Sequence, residues 1–290
     1  MECQLNINID YSTNLSIQTK IPVSVYIPTR NRAEPLRRAI ESALKQTWQN
    51  IEIIVVDDAS EDQTHDILRK LADVHPISII RNDRPKGAAA SRNIALEHAS
   101  GDFVAGLDDD DFWLPERIEL LMNAFEAGCS AVCSHDKMDY GNRELTWKKK
   151  PLITFDDLLY YNQVGNQVLT KKEYILAVGG YDESLPSAQD YDLWIRLAER
   201  FGPVKNVPHV LQVITSNQNR ESISTSERKA DGYIACFEKH KSKMSRKQQA
   251  YQQYRIKMAS GERVSWVELF RSTPPVLWFK EIKRKLFLKN

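Results

Sequence analysis

Four consecutive carboxylates, Asp108 to Asp111, stand in the segment L-D-D-D-D-F-W-L-P (107–115), directly after an apolar run. Like charges at neighbouring positions repel at a cost set by the local dielectric. A divalent cation removes that cost, and hard ions such as Mn2+ or Mg2+ take carboxylate oxygens. Packing is not expected to account for four carboxylates in a row, so metal binding is the leading reading and a solvated acidic loop the alternative. A second acidic pair closes another apolar run in V-V-D-D-A-S (55–60), and polar residues close a third in I-P-T-R-N-R (27–32). Alone, Asp58 and Ser60 read as caps of the following helix. Together, three run ends with polar groups on one sheet edge describe a nucleotide-sized site. The segment K-G-A-A-A-S-R-N (86–93) opens a helix with small residues, which let a ligand approach the backbone, and Arg92 can reach an anion there.

The elements that must position these groups follow from periodicity. V-S-V-Y-I-P (23–28), I-E-I-I-V-V (51–56), I-S-I-I (77–80) and D-F-V-A-G-L (102–107) read as strands, the second as a run typical of a parallel strand covered on both faces. Helices are expected over about 35–46, 62–74 and 87–98. Strands alternating with helices of this length predict an α/β fold with a mostly parallel sheet flanked by helices. Ligands of such sheets bind in the loops after the strands, where the acidic run lies. Further on, a helix from Pro115 to about Ala127, a strand at 131–134, a helix at 190–201 and a strand at 210–214 are expected, with 140–185 mixed. No G-x-G-x-x-G follows the first strand and no G-x-x-x-x-G-K-[ST] occurs, which argues against dinucleotide-binding and P-loop domains.

The 290 residues carry 40 basic and 39 acidic side chains, a net charge of +1. The balance is segregated: from Lys229 to Asn290 there are 15 basic and 5 acidic residues, leaving 25 basic and 34 acidic before them. An acidic body thus precedes a basic tail, a pattern of chains that meet membranes or nucleic acid. At 42% hydrophobic and 27% charged the chain is globular rather than disordered. No apolar stretch is long enough to span a bilayer, and the first residues do not read as a secretory signal. The four cysteines are expected as free thiols, and Cys129 and Cys133 lack histidines at zinc-site spacing.

The motifs V-S-V-Y-I-P-T-R-N-R, Q-T-W-Q-N-I-E-I-I-V-V-D-D-A-S, G-A-A-A-S-R-N, L-D-D-D-D-F-W-L-P and G-G-Y-D-E-S-L-P-S-A-Q-D-Y-D-L-W-I-R-L occur in that order. Together they resemble the family 2 inverting glycosyltransferases of the GT-A fold, of the bacterial surface-polysaccharide type, over about residues 22–215. The resemblance implies three segments: an arm over 1–21, a GT-A catalytic domain over 22–225 and a helical extension over 226–290. It implies transfer of a sugar from a nucleoside diphosphate sugar, with UDP the commonest nucleotide, using Mn2+ or Mg2+. Pro28, Thr29 and Arg30 would line the nucleoside pocket and Asp58 would accept from the base. Arg92 would lie near the nucleotide. Asp108 and Asp110 match the ends of the family's D-x-D, with Asp110 the metal ligand, while Asp109 and Asp111 would hold the ribose or tune the field. Asp190 matches the Asp of the family's E-D-Y and would be the catalytic base, although as the first residue of a helix it also reads as a cap. The helix dipole is expected to lower its pKa.

Two positions depart from the family pattern: Gln189 replaces the usual Glu, and V-L-Q-V-I-T-S-N-Q-N-R (210–220) lacks the usual His, leaving Arg220 as a substitute contact for diphosphate. The segment 274–289 interleaves Leu277, Trp278, Phe279, Ile282, Leu286 and Phe287 with Lys280, Lys283, Arg284 and Lys285. Such a helix suits an anionic membrane surface. Packing on the protein is its alternative, and nucleic acid is disfavoured because no binding motif is present. The implied acceptor is a saccharide or lipid-linked saccharide, and the expected location is cytoplasmic, at the inner face of a bacterial membrane. Competing functions are a sugar-nucleotide nucleotidyltransferase, which would want a Gly-rich basic loop after the first strand, and an inactive sugar-binding or membrane scaffold.

Overall fold

The structure is a computed structural model that describes residues 21–215 and 228–287. Its first half alternates strand and helix: β1 (Val23–Thr29), α1 (Ala33–Leu44), β2 (Ile51–Asp57), α2 (Thr64–Ala72), β3 (Ile77–Arg81), α3 (Ala88–His98) and β4 (Phe103–Gly106). β5 (Phe112–Trp113), α4 (Arg117–Ala124), β6 (Ala131–Asp139), β7 (Glu144–Trp147) and β8 (Leu152–Ile153) follow. Then come α5 (Phe155–Leu158), β9 (Leu169–Lys171), α6 (Lys172–Ala177), α7 (Gln189–Phe201) and β10 (Val204–Thr215). The extension contributes α8 (Arg228–His240), α9 (Arg246–Ala259), α10 (Trp266–Ser272) and α11 (Trp278–Phe287).

The strands form one sheet in the order β3-β2-β1-β4-β9-β6-β10-β5, with β7 beside β6 and β8 beside β10. β3, β2, β1 and β4 are mutually parallel, and β9 inserts antiparallel between β4 and β6. Alternation along the strands sorts side chains to the two faces. Tyr26, Ile54 and Val56 face a core shared with Leu96 and Trp194, whereas Val25, Ile27, Ile53 and Val55 face one shared with Leu36, Ile40 and Leu68. In α1 the buried Leu36, Ala39, Ile40 and Ala43 recur at helical spacing, which lays one stripe on the sheet.

The mixed region 140–185 resolves into β7, β8 and β9 and the short helices α5 and α6, with strands of two to four residues that carry too little periodicity to read. β10 is longer than its apolar run implied. Pro208 cannot donate to a ladder, and the pairing with β6 shifts register between Val207 and Val210. Only the second half of that strand therefore looked like one.

The extension packs on the body rather than beside it. Cys236, Phe237 and Met244 join the core that holds Trp194, while Tyr251, Tyr254, Val264 and Leu269 form a third cluster. Among the described residues Cys129, Cys133 and Cys236 are free and buried. No helix among them is long and apolar enough to cross a membrane.

Candidate active site

The carboxyl ends of β1, β2 and β4 meet where the sheet order reverses about β1, the place where open α/β sheets bind ligands. The loops there are tied to each other. The Asn31 and Arg32 backbone N–H groups donate to Ser60 Oγ and Thr64 Oγ1, and Glu61 N–H donates to Asn31 Oδ1. Asn31 and Ala59 both hold left-handed backbone, at φ 54° and 56°. For a residue with a Cβ this costs energy, and such strain gathers at functional sites. Asp58 is buried and accepts from Asn82 Nδ2 and Lys86 N–H at 2.7 Å and from Gly87 N–H at 2.8 Å. Three of about four acceptor positions thus hold the loop that leads into α3. Pro28 is half-buried and Arg30 exposed. Thr29 is buried and gives its hydroxyl to Asp109 Oδ2 at 2.7 Å.

The four carboxylates that look alike in sequence separate in space. Asp108 takes Arg92 Nη2 on one oxygen at 2.8 Å and Asn166 Nδ2 on the other at 2.7 Å. Asp109 is pushed up to about 7, first by burial and then by repulsion from Asp110, against the pull of Thr29. Burial and repulsion from Asp108 also raise Asp110, whose side chain is tied to no neighbouring side chain among the described residues. Its backbone carbonyl accepts from Arg38 Nη2 at 3.0 Å. Asp111 corrects the expectation that packing has no part here. It is buried and accepts from Asn166 Nδ2, Gln167 Nε2 and the Thr215 N–H at 2.9, 2.7 and 3.1 Å. It fastens the acidic loop to the segment before β9 and to the end of β10.

Asp190 lies in the first turn of α7, after Ala188 at φ 59°. The expected drop in its pKa does not occur. Burial pushes the carboxyl up to about 6, outweighing Arg92 and the Tyr191 N–H that favour its charge, while Asp108 adds repulsion. Desolvation of a half-buried carboxylate exceeds the pull of a helix terminus here. Arg92 links the two halves of the site. Beyond Asp108 it donates from Nη1 to Gln189 Oε1 at 3.3 Å, and its guanidinium lies 5.3 Å from the Tyr181 ring centroid. Gln189, the departure from Glu, thus serves as a neutral acceptor for Arg92. Asn162 Nδ2 stands 3.4 Å from Asp190 Oδ2.

The site therefore gathers Asp190, Arg92, Asp108, Asp109, Asp110 and Thr29, with Asp58 one loop away. Arg220 and the arm over 1–20 lie outside the described residues. Sequence reading missed Asn162, Asn166, Gln167 and Arg38. Single amides in an irregular stretch carry no spacing signal, and Arg38 reads as an ordinary charge on a surface helix.

Among the described residues no three carboxylate, histidine or cysteine side chains form a cage of their own for a metal. That fits Mn2+ or Mg2+, which take one or two carboxylates and complete their shell from substrate phosphates and water. Asp110, raised in pKa and without a side-chain partner among the described residues, could hold such an ion, with Asp108 beside it.

The family model described as Glycosyl transferase family 2 matches residues 24–180, and one described as Glycosyltransferase like family 2 matches 137–263. A protein of Escherichia coli (strain K12), provisionally named colanic acid biosynthesis glycosyl transferase WcaA, is 33% identical over 260 residues, covering 84% of this chain and 90% of that protein. The chain belongs to glycosyl transferase family 2. It is a glycosyltransferase. Another Escherichia coli relative, the UDP-Glc:alpha-D-GlcNAc-diphosphoundecaprenol beta-1,3-glucosyltransferase WfgD, is 30% identical over 183 residues, covering 60% of this chain and 69% of its own. The fold matches the mannosyltransferase PcManGT of Pyrobaculum calidifontis, solved with GDP-Man and Mn2+, at a TM-score of 0.64 and 20% identity over 96% of this chain and 87% of that one. It also matches S. aureus TarS 1–349 in complex with UDP-GlcNAc, at 0.66 and 19% identity over 82% of this chain and 73% of that one. The mostly parallel sheet flanked by helices is thus the GT-A architecture.

Proposed function

We propose that this glycosyltransferase is inverting and metal-dependent, and that it moves a sugar from a UDP-sugar to a hydroxyl of a saccharide or lipid-linked saccharide in bacterial surface-polysaccharide assembly. The observation that carries the reading is Asp190, a half-buried carboxyl raised to about 6 and set beside the Arg92–Asp108 pair. A carboxylate of that basicity is ionised at neutral pH yet able to take a proton from an acceptor hydroxyl. Attack opposite the leaving group needs only this one base, so the paired carboxylates of glycoside hydrolysis are not required. Pro28, Thr29, Arg30 and Asp58 would hold the nucleoside, with Asp109 beside the ribose and Arg92 toward the diphosphate. Bound at Asp110, Mn2+ or Mg2+ would supply charge neutralisation of the leaving diphosphate. The UDP donor and lipid-diphosphate acceptor printed in the name of WfgD support the same substrate classes here.

The extension would place the enzyme at the inner face of the cytoplasmic membrane through 274–289. Supporting this, Val276, Phe279 and Leu286 are exposed while Glu281 and Lys285 of the same helical segment are buried, the reverse of a helix that simply faces water. The test is a thermal-shift screen of nucleotide sugars with and without Mn2+, followed by transfer assays of Asp190→Asn. One donor should raise the melting temperature, more so with the ion, and Asp190→Asn should bind it without transferring it. Undiminished transfer by that variant refutes the assignment of the base.

A further inference from the structure

The extension holds a positive cluster that the chemistry above leaves unused. Arg255 on α9 and Lys280 on α11 both approach the ring of Tyr161, at 5.0 and 4.0 Å from its centroid. Arg284, one turn beyond Lys280, lines a shallow cleft with Arg255, Tyr191 and Gln252. The carboxylate beside them, Glu281, is buried, accepts from Tyr251 Oη at 2.8 Å, stands 3.8 Å from Arg284 and acts on the charge of Lys280. Among the described residues neither Arg255 nor Lys280 makes an ion pair. Desolvation, then repulsion from Arg255, pushes the Lys280 ammonium down to about 8. Like charges held this close favour an external anion. Guanidinium groups match phosphate geometry in particular.

The cluster is tied to the elements that carry the reacting groups. Tyr161 precedes Asn162, whose amide faces the Asp190 carboxylate. Tyr191 follows Asp190, and its hydroxyl accepts from Gln252, three residues before Arg255, at 2.6 Å. On its other side the cluster runs into exposed aromatic surface. Trp266, Phe270 and Trp278 form a chain of rings with centroids 6.4 and 5.1 Å apart, and all three are exposed. Phe279, next to Lys280, is 78% exposed. Contiguous exposed apolar surface of this kind marks an interaction site.

We infer that Arg255, Lys280 and Arg284 bind the diphosphate of a lipid-linked acceptor, with its lipid chain along Trp278 and Phe279 and its sugar directed to Asp190. The inference rests on the transferase reading with a lipid-linked acceptor. Its test needs no transfer: farnesyl diphosphate is titrated into the full-length protein in detergent, with tryptophan fluorescence as the readout. Arg255→Gln and Lys280→Gln should each weaken binding about tenfold, the loss expected for one charge-assisted contact. Lys283→Gln, exposed on the same helix, should bind as the unaltered protein does. Lys280 is exposed, so its variant tests the site without threatening the fold. Unchanged binding in both cluster variants overturns the inference. So does an equal loss of binding to phosphatidylglycerol vesicles by Arg255→Gln, which lies outside 274–289 and would then belong to a general contact for anionic bilayers. Loss of farnesyl diphosphate binding with donor stabilisation intact supports the site. A failure of the transferase reading would appear instead in the donor screen and the Asp190→Asn assay.

Discussion

Asp190→Asn is expected to strengthen the fold while removing activity. The carboxyl is raised from its ordinary 3.8 to about 6, chiefly by burial. The native state therefore holds the proton over a pH range where the unfolded chain has released it. Stability consequently falls as pH rises from about 4 to about 6, and the full cost is present above the folded value. A shift of roughly 2 units at 1.36 kcal/mol each gives about 3 kcal/mol at pH 8. A neutral amide of the same shape avoids that cost. The variant should be about 2–3 kcal/mol more stable than the parent at pH 8, or about 5 °C in melting temperature at this chain length. The advantage should shrink below about 1 kcal/mol at pH 4, where the folded carboxyl is protonated and the unfolded one is only partly ionised. Transfer should fall by roughly 100- to 10,000-fold, the contribution of a positioned base. In the parent, kcat/KM should rise with pH through about 6 and then level. Thermal unfolding of both proteins from pH 4 to 8, with transfer rates alongside, checks this. A variant that is less stable at pH 8, or whose advantage does not depend on pH, refutes a desolvated base.

Asp110→Ala and Asp111→Ala should part company. The first should leave the melting temperature near the parent value and abolish Mn2+-dependent donor binding. The second leaves Gln167 Nε2 without its acceptor and Asn166 Nδ2 with Asp108 alone, and should lose about 1–3 kcal/mol in urea unfolding, the cost of an unsatisfied buried group. Adding a chelator should remove the ion-dependent part of the donor's thermal shift and leave the ligand-free midpoint unchanged. Burial opposes the charge of Asp192, yet His240, Arg196 and Lys239 overcome it and hold the carboxyl well below the usual range. Its stabilisation is full above about pH 4 and fades below that as the carboxyl takes a proton. Asp192→Asn should therefore cost about 3–5 kcal/mol at pH 7, and progressively less in acid, by urea unfolding.

The parallel half of the fold was legible because its strands are unbroken apolar runs whose last residues carry the polar groups. β7, β8 and β9 were not, since strands so short give no alternation to count. Within the site, residue types at strand ends pointed to Asp58, Asp108 and Asp110, and the small-residue helix start pointed to Arg92. Chain position could not separate Asp110 from Asp111, because burial and partners make the difference, and those partners come from 166–167 and 215. The rise of Asp190 was likewise hidden. A helix start is visible in sequence, but the desolvation that overrides its dipole depends on residues far along the chain. The segment 274–289 looked amphipathic, yet only the packing of Glu281 and Lys285 reveals which face turns inward.

One contact bears on how such enzymes could be recombined. Asp192 sits two residues beyond the proposed base and takes His240 Nε2 at 2.7 Å and Lys239 Nζ at 2.9 Å from the extension, while Arg196 grips its other oxygen. The helix that presents the base is thus also the clasp for the C-terminal segment. A chimaera that grafts another relative's extension here to change acceptor choice would inherit a buried carboxylate held by Arg196 alone unless its own donors fall on the same two positions. Exchange at this seam is gated by a charge match, so compatible tails should be sought first among chains that keep Lys-His at the end of this helix.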